Sequence, residues 1–214
     1  MFFILYSNKK RNIYIFIILS FILCEFILIG QDFIGIWAGA GYEQAYFIVL
    51  LVMIPLTVPL MQNMGITILQ AKNMHQFRSV IYIFIAILNV LVSIPLSKKL
   101  GGIGCALATG VSMIIGNIII INIYYYKKVK IDIPRFWLEI MKLSIPAVLS
   151  LGITLVIKYF IVVNGLLNMV VTSIVFMTLF IPMLWGIGMN NNEKELFVEP
   201  IKIIKKRLGE WRHD

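Results

Sequence analysis

Long apolar stretches succeed one another along this chain, each closed by a short polar or basic segment. Six of them read as spans: roughly Ile13–Gly30, Ala45–Gly65, Val80–Leu96, Ile103–Tyr124, Ile140–Val163 and Leu166–Ile187. Runs of about 15 to 24 apolar residues match the length needed to cross a hydrocarbon core of ~30 Å. In lipid every backbone N–H and C=O must find its partner inside the protein, so such runs become helices. Aromatic and β-branched residues abound but do not alternate with polar ones, which argues against a membrane barrel. The pattern therefore predicts an all-α membrane protein, a bundle of about six transmembrane helices.

The pattern changes after the last span. Asn190, Asn191 and Asn192 lead into a segment where Phe197, Ile201, Ile204, Leu208 and Trp211 recur at helical steps, with Lys202, Lys205, Lys206, Arg207 and Arg212 between them. Asn192 and Glu195 have capping-box spacing, and Pro200 falls near the first turn. This predicts a C-terminal basic amphipathic helix lying on an anionic leaflet. The chain then divides into a six-span membrane domain over 1–189 and an amphipathic tail over 190–214. At the other end, Met1–Tyr6 followed by Asn8, Lys9, Lys10 and Arg11 looks like a signal peptide, but Glu25 interrupts the run and no clean cleavage site closes it. Retention as a membrane anchor is expected.

Composition agrees: 60% of the 214 residues are hydrophobic and 14% charged, with a mean hydropathy of +0.93. Soluble domains are closer to half apolar and a quarter charged. A net charge of +9 would suggest nucleic acid in a soluble protein, but here the cations lie between the spans and report topology. One side collects Lys9, Lys10, Arg11, Lys72, Arg78, Lys127, Lys128, Lys130, Arg135, Lys142 and the tail cations from Lys194 to Arg212. The other side has only Lys98, Lys99 and Lys158 of the 19 Lys and Arg residues. Positive charge stays on the cytoplasmic side, so both termini are expected there. Trp37, Tyr42, Tyr124, Tyr125, Tyr126 and Trp137 sit where aromatic rings anchor at headgroup level. Cys24 and Cys105 fall inside spans, fit no disulfide or zinc pattern, and are expected as small buried apolar residues.

Candidate chemistry is sparse. Pro55, Pro59, Pro95, Pro146 and Pro182 lie within spans, where each removes a backbone hydrogen bond and favours a kink. Gly101, Gly104 and Ala108 open a small-residue face on the fourth span, suited to close helix packing. Polar groups in hydrocarbon are candidates for a substrate path. Glu25, toward the outer edge of the first span, either faces a cavity or is a protonated packing residue. Lys158 either snorkels outward or meets an anionic phosphate. Asn89 and Asn117 are interhelical hydrogen-bond partners or substrate contacts. His75 and His213 lie outside the spans, and no enzyme or nucleotide-binding motif occurs, so no catalysis, cofactor or metal is expected.

Several stretches together resemble a known family. They are Ile36-Trp37-Ala38-Gly39-Ala40-Gly41-Tyr42-Glu43-Gln44-Ala45, then Leu69-Gln70-Ala71-Lys72-Asn73, and Asn89-Val90 followed by Leu100-Gly101-Gly102-Ile103-Gly104-Cys105-Ala106-Leu107-Ala108-Thr109. With Phe136-Trp137 and Pro146, they are similar to the second half of bacterial polysaccharide-biosynthesis (O-antigen-type oligosaccharide) flippases of the MATE-like superfamily. The similarity runs from about Lys9 to Ile187. It implies roughly twelve to fourteen helices in two pseudo-symmetric halves around a cavity, through which a lipid-linked oligosaccharide changes leaflet. Six spans are one such half, so a fragment, a truncated product or a half-transporter is expected. Its partner would be a second copy or a separately encoded N-terminal half, with no nucleic acid involved. The rivals are a MATE-type exporter half for amphipathic cations, a glycan-assembly polymerase or acyltransferase, and a non-transporting remnant.

Overall fold

The computed structural model describes residues 2–62, 76–130, 132–160, 165–190 and 193–194, with side chains from Ile13 onward. Among these residues there is no strand, and six helices are long and apolar enough to cross a membrane. We number them α1 (Phe2–Trp37), α2 (Glu43–Met61), α3 (Gln76–Leu100), α4 (Gly102–Val129), α5 (Ile133–Phe160) and α6 (Leu166–Gly188). The chain is a multi-pass, all-α membrane protein. Of the tail only Asn190, Glu193 and Lys194 are described; its amphipathic stretch from Phe197 to Arg212, the Leu69–Asn73 stretch, His75 and His213 lie outside the described residues.

Most helices differ in extent from the sequence reading, with α3 four residues longer at each end and α4 running on to Val129; two of the differences have a visible local reason. Helix α1 continues past Gly30 to Trp37, because the charge of Asp32 is met by side chains of α5 and α6. Helix α5 starts at Ile133 rather than near Ile140. Asp132 caps it: its carboxylate accepts the Arg135 N–H at 3.2 Å and its carbonyl the Phe136 N–H at 3.1 Å. Pro134, which has no N–H to leave unpaired, fits the first turn.

The helices form two groups. Helix α4 packs closely on α2 and α3, while α1 packs on α5 and α6; the α1–α2 contact joins the groups. In the first group Gly104 lies against the Leu96 backbone of α3, Gly110 against the Leu51 carbonyl of α2, and Gly116 against the Ile85 side chain. Ala108 is wholly buried. Such small residues bring helix axes together where lipid gives no hydrophobic drive to association. In the second group Phe21, Phe176 and Phe180 have ring centroids 5.3–5.7 Å apart. Cys24, Leu28, Leu143 and Ala147 complete that core, with Val58 and Met61 from α2.

Glycines make the turns at one end of the bundle, which we call the Trp37 end. Gly101 and Gly165, with φ of 59° and 70°, immediately precede α4 and α6. Side chains other than glycine rarely adopt these conformations. The prolines do not end their helices: α2 runs on through Pro55 and Pro59, α5 through Pro146 and α6 through Pro182. Wide, π-type turns follow at Ile114–Ile120 and Tyr125–Val129 in α4 and at Leu184–Gly188 in α6.

Other expectations are corrected. Cys24 is buried, but Cys105 is exposed on the outer face of α4. Trp37, Tyr42 and Tyr126 are exposed, as ring anchors require, whereas Tyr125 is buried.

Candidate functional site within the membrane helices

Glu25 lies inside α1, well before its end at Trp37 rather than near the edge of a span closing at Gly30. The Ser173 hydroxyl of α6 donates to its carboxylate at 3.1 Å. Asp32 stands two turns along on the same face of α1, since steps of three, four and seven return to one side of a helix. There the Lys158 ammonium of α5 donates to the Asp32 carboxylate at 2.9 Å and to the Leu28 carbonyl at 2.6 Å. Asn168 of α6 donates to the same carboxylate oxygen, Oδ2, at 3.1 Å. The Thr172 hydroxyl in turn donates to the Asn168 carbonyl at 3.4 Å. Three helices thus meet around a single carboxylate oxygen.

Beside the pair is a cavity of about 10 Å³ lined by Thr154, Ile157, Lys158, Val171, Thr172 and Val175. That is room for one water. The Lys158 and Asp32 side chains are 25% and 35% exposed, so the pair is only partly shielded and its partners can be exchanged. Thr154 and Ser150 are buried in α5 and return their protons to the backbone, to the Ser150 and Pro146 carbonyls, at 2.7 Å each.

Among the candidate path residues, Glu25 and Lys158 come together on the α1–α5–α6 group. Asn89 and Asn117 do not join them. Asn89 pairs across the α3–α4 contact, donating to the Thr109 hydroxyl at 3.3 Å and accepting from Ser93 at 2.8 Å. Asn117 is 2% exposed within the wide turns of α4, and its carbonyl oxygen has no hydrogen-bond partner. Lys158 turns inward to α1 rather than snorkelling outward, because Asp32 offers a counter-charge within reach.

The sequence reading missed Asp32, Asn168, Thr172 and Ser173. Gln31 and Asp32 looked like the start of a loop; the available signal was that Glu25, Leu28 and Asp32 share one helical face. It also missed Arg78, counted there as a loop charge. Arg78 is buried, donating to the Tyr125 hydroxyl at 2.9 Å and to the Tyr82 hydroxyl at 2.6 and 3.0 Å, with its guanidinium carbon 5.2 Å from the Tyr82 ring centroid. Nearby, the Gln62 amide donates to Asn122 at 2.6 Å. Among the described residues no group of three or more His, Cys, Asp or Glu comes together to hold a metal ion.

Comparison with protein-family models, curated proteins and solved structures finds no match to this chain. The fold and the site define a class: a six-helix membrane protein with a carboxylate and an ion pair held inside one three-helix group.

Proposed function

We propose that the chain is one half of a flippase that moves a lipid-linked oligosaccharide across a bacterial inner membrane, with both termini cytoplasmic. The observation that carries this reading is the ladder of ionisable groups on α1, Glu25 and then Asp32 with Lys158, set among mostly apolar neighbours and away from the basic ends of α1 and α5. Charged groups at membrane depth are costly and mark the paths of polar cargo. The similarity of the Leu100–Thr109 and Ile36–Ala45 stretches to polysaccharide flippases supports the same reading. A glycan joined to a pyrophosphate cannot cross the hydrocarbon core without a polar lining. The other wall of the path comes from a second copy or an N-terminal half.

Asp32 gives some weight to the rival reading, a MATE-type exporter half for cations, because it adds a second carboxylate to α1. Lys158 offsets that charge, which leaves the glycan reading ahead.

The test is export of surface glycan in a strain lacking its own flippase. The chain co-expressed with a six-span N-terminal half should restore export, and Glu25→Gln should lower it at equal protein level. Restoration by a demonstrably monomeric chain would refute the half-transporter reading. Restoration by no partner at all, with resistance to cationic dyes instead, would favour the exporter. Orientation is read separately, on Asp132→Cys and Ala40→Cys in a background with Cys105 replaced. External labelling at 40 and not at 132 is expected.

A further inference from the structure

The Lys158 ammonium is built into the surroundings of an anion, and the anion now present is the chain's own Asp32. Its oxygen Oδ2 accepts from Lys158 at 2.9 Å and from Asn168 at 3.1 Å, so two donors from two helices converge on one point. A small pocket lined by Thr154, Thr172 and apolar side chains of α5 and α6 lies against Lys158. A permanently locked pair would be sealed. Here the two side chains are partly exposed, and the turns of α1 that follow Asp32 carry exposed Phe33, Ile36 and Trp37 around an unpacked Gly35. The Asp32 carboxylate thus stands at the open margin of the three-helix group, near the Trp37 end. Asp32 already occupies the point on which the two donors converge, so another anion reaches both of them only as Asp32 leaves. An ammonium carrying three donors suits a phosphate oxygen at least as well as a carboxylate.

We propose that Lys158 and Asn168 form a binding site for a phosphate-class anion, and that Asp32 is an internal stand-in which closes the site when no ligand is bound. As a phosphate- or pyrophosphate-bearing ligand approaches, Lys158 exchanges one anion for another and the polar tie from Asp32 of α1 to α5 and α6 opens, while the apolar core stays packed. The ion pair is thus a ligand-operated latch. Only the natural source of the phosphate rests on the flippase reading; the site itself rests on the geometry.

The probe is inorganic pyrophosphate, titrated into the full chain in a sugar-headgroup detergent that contributes no phosphate, with heat of binding as the readout. The parent should bind weakly. Asp32→Asn removes the competing charge and should bind roughly tenfold more tightly, which corresponds to about 1.4 kcal/mol. Lys158→Met should lose binding. Should Asp32→Asn fold poorly, Asp32→Ser and the shift in melting temperature with pyrophosphate serve instead. Equal affinity in the parent and both Asp32 variants would overturn the latch, as would binding that survives Lys158→Met. Added phosphatidylglycerol separates the sources: a fall in apparent pyrophosphate affinity assigns bilayer headgroups, and no change assigns phosphate carried by the cargo; both support the site. Glycan export is a separate readout. Export without pyrophosphate binding sinks the latch alone, and binding without export sinks the flippase reading alone.

Discussion

The α2–α3–α4 group and the α1–α5–α6 group are both three apolar helices, yet different physics holds them together. In the first, helices meet through absence of side chain: Gly104, Gly110 and Gly116 let backbones and side chains of α2 and α3 come in close. Its polar contacts, Asn89 with Thr109 and Gln62 with Asn122, are neutral pairs, and Arg78, a charge buried among its described residues, rests on phenols. In the second, phenylalanine rings fill the core, and ionisable groups tie α1 to its neighbours. A contact made of missing atoms has one fit and resists rearrangement. A contact made of exchangeable charges has alternatives. The first group is built as a fixed block, and the second holds the ionic contact that the proposed latch exchanges.

The largest break in that comparison comes from Gly104. Even Ala would place a Cβ in the Leu96 backbone, which cannot give way as a side chain does. Gly104→Leu should cost about 3 kcal/mol or more and leave little folded protein in mild detergent, as seen by size exclusion and thermal melting. Normal folding of this variant would mean that the α3–α4 contact is not the fixed one.

Next is Lys158→Met, which leaves Asp32 beside apolar neighbours without its cation. A loss of about 2 kcal/mol is expected from the unmet carboxylate. The double variant with Asp32→Asn should recover most of it, because the second change removes the orphaned charge. A melt series of the two single variants and the double gives the coupling, expected at about 2 kcal/mol. Additive losses would show that the ion pair does not join α1 to α5.

Tyr125→Phe removes one acceptor from buried Arg78 and should cost about 1.5 kcal/mol by the same melt, since a hydrogen bond to a charged group is lost. The smallest effect belongs to Asn89→Ala. Interhelical hydrogen bonds between neutral groups in membranes average about 0.6 kcal/mol, because the separated helices find other partners. A loss several times larger would place Asn89 among the main supports of the first group.

The number of helices and most of their extent were legible in the sequence, because a lipid-spanning run has one solution for its backbone. The close packing around Gly104 and Ala108 was also written there, since small residues at helical spacing leave room only for another helix. By contrast, the end of α1 was misplaced, and with it the depth of Glu25. A polar pair such as Gln31-Asp32 ends an apolar run on the page, whereas in the folded chain Lys158 and Asn168 let the helix continue.

What the sequence alone determined is therefore the all-helical, six-span character of the described chain, a local consequence of composition and run length. Tertiary structure alone decided which polar groups meet. Asp32 and Lys158 are more than a hundred positions apart, and nothing in their own neighbourhoods says that they face one another. It also decided that Asn89 belongs to the fixed block and Glu25 to the exchangeable group. Helical periodicity assigns each residue a face; only the packing of one helix on another gives that face a neighbour, and the energy of a charge in a membrane depends on that neighbour.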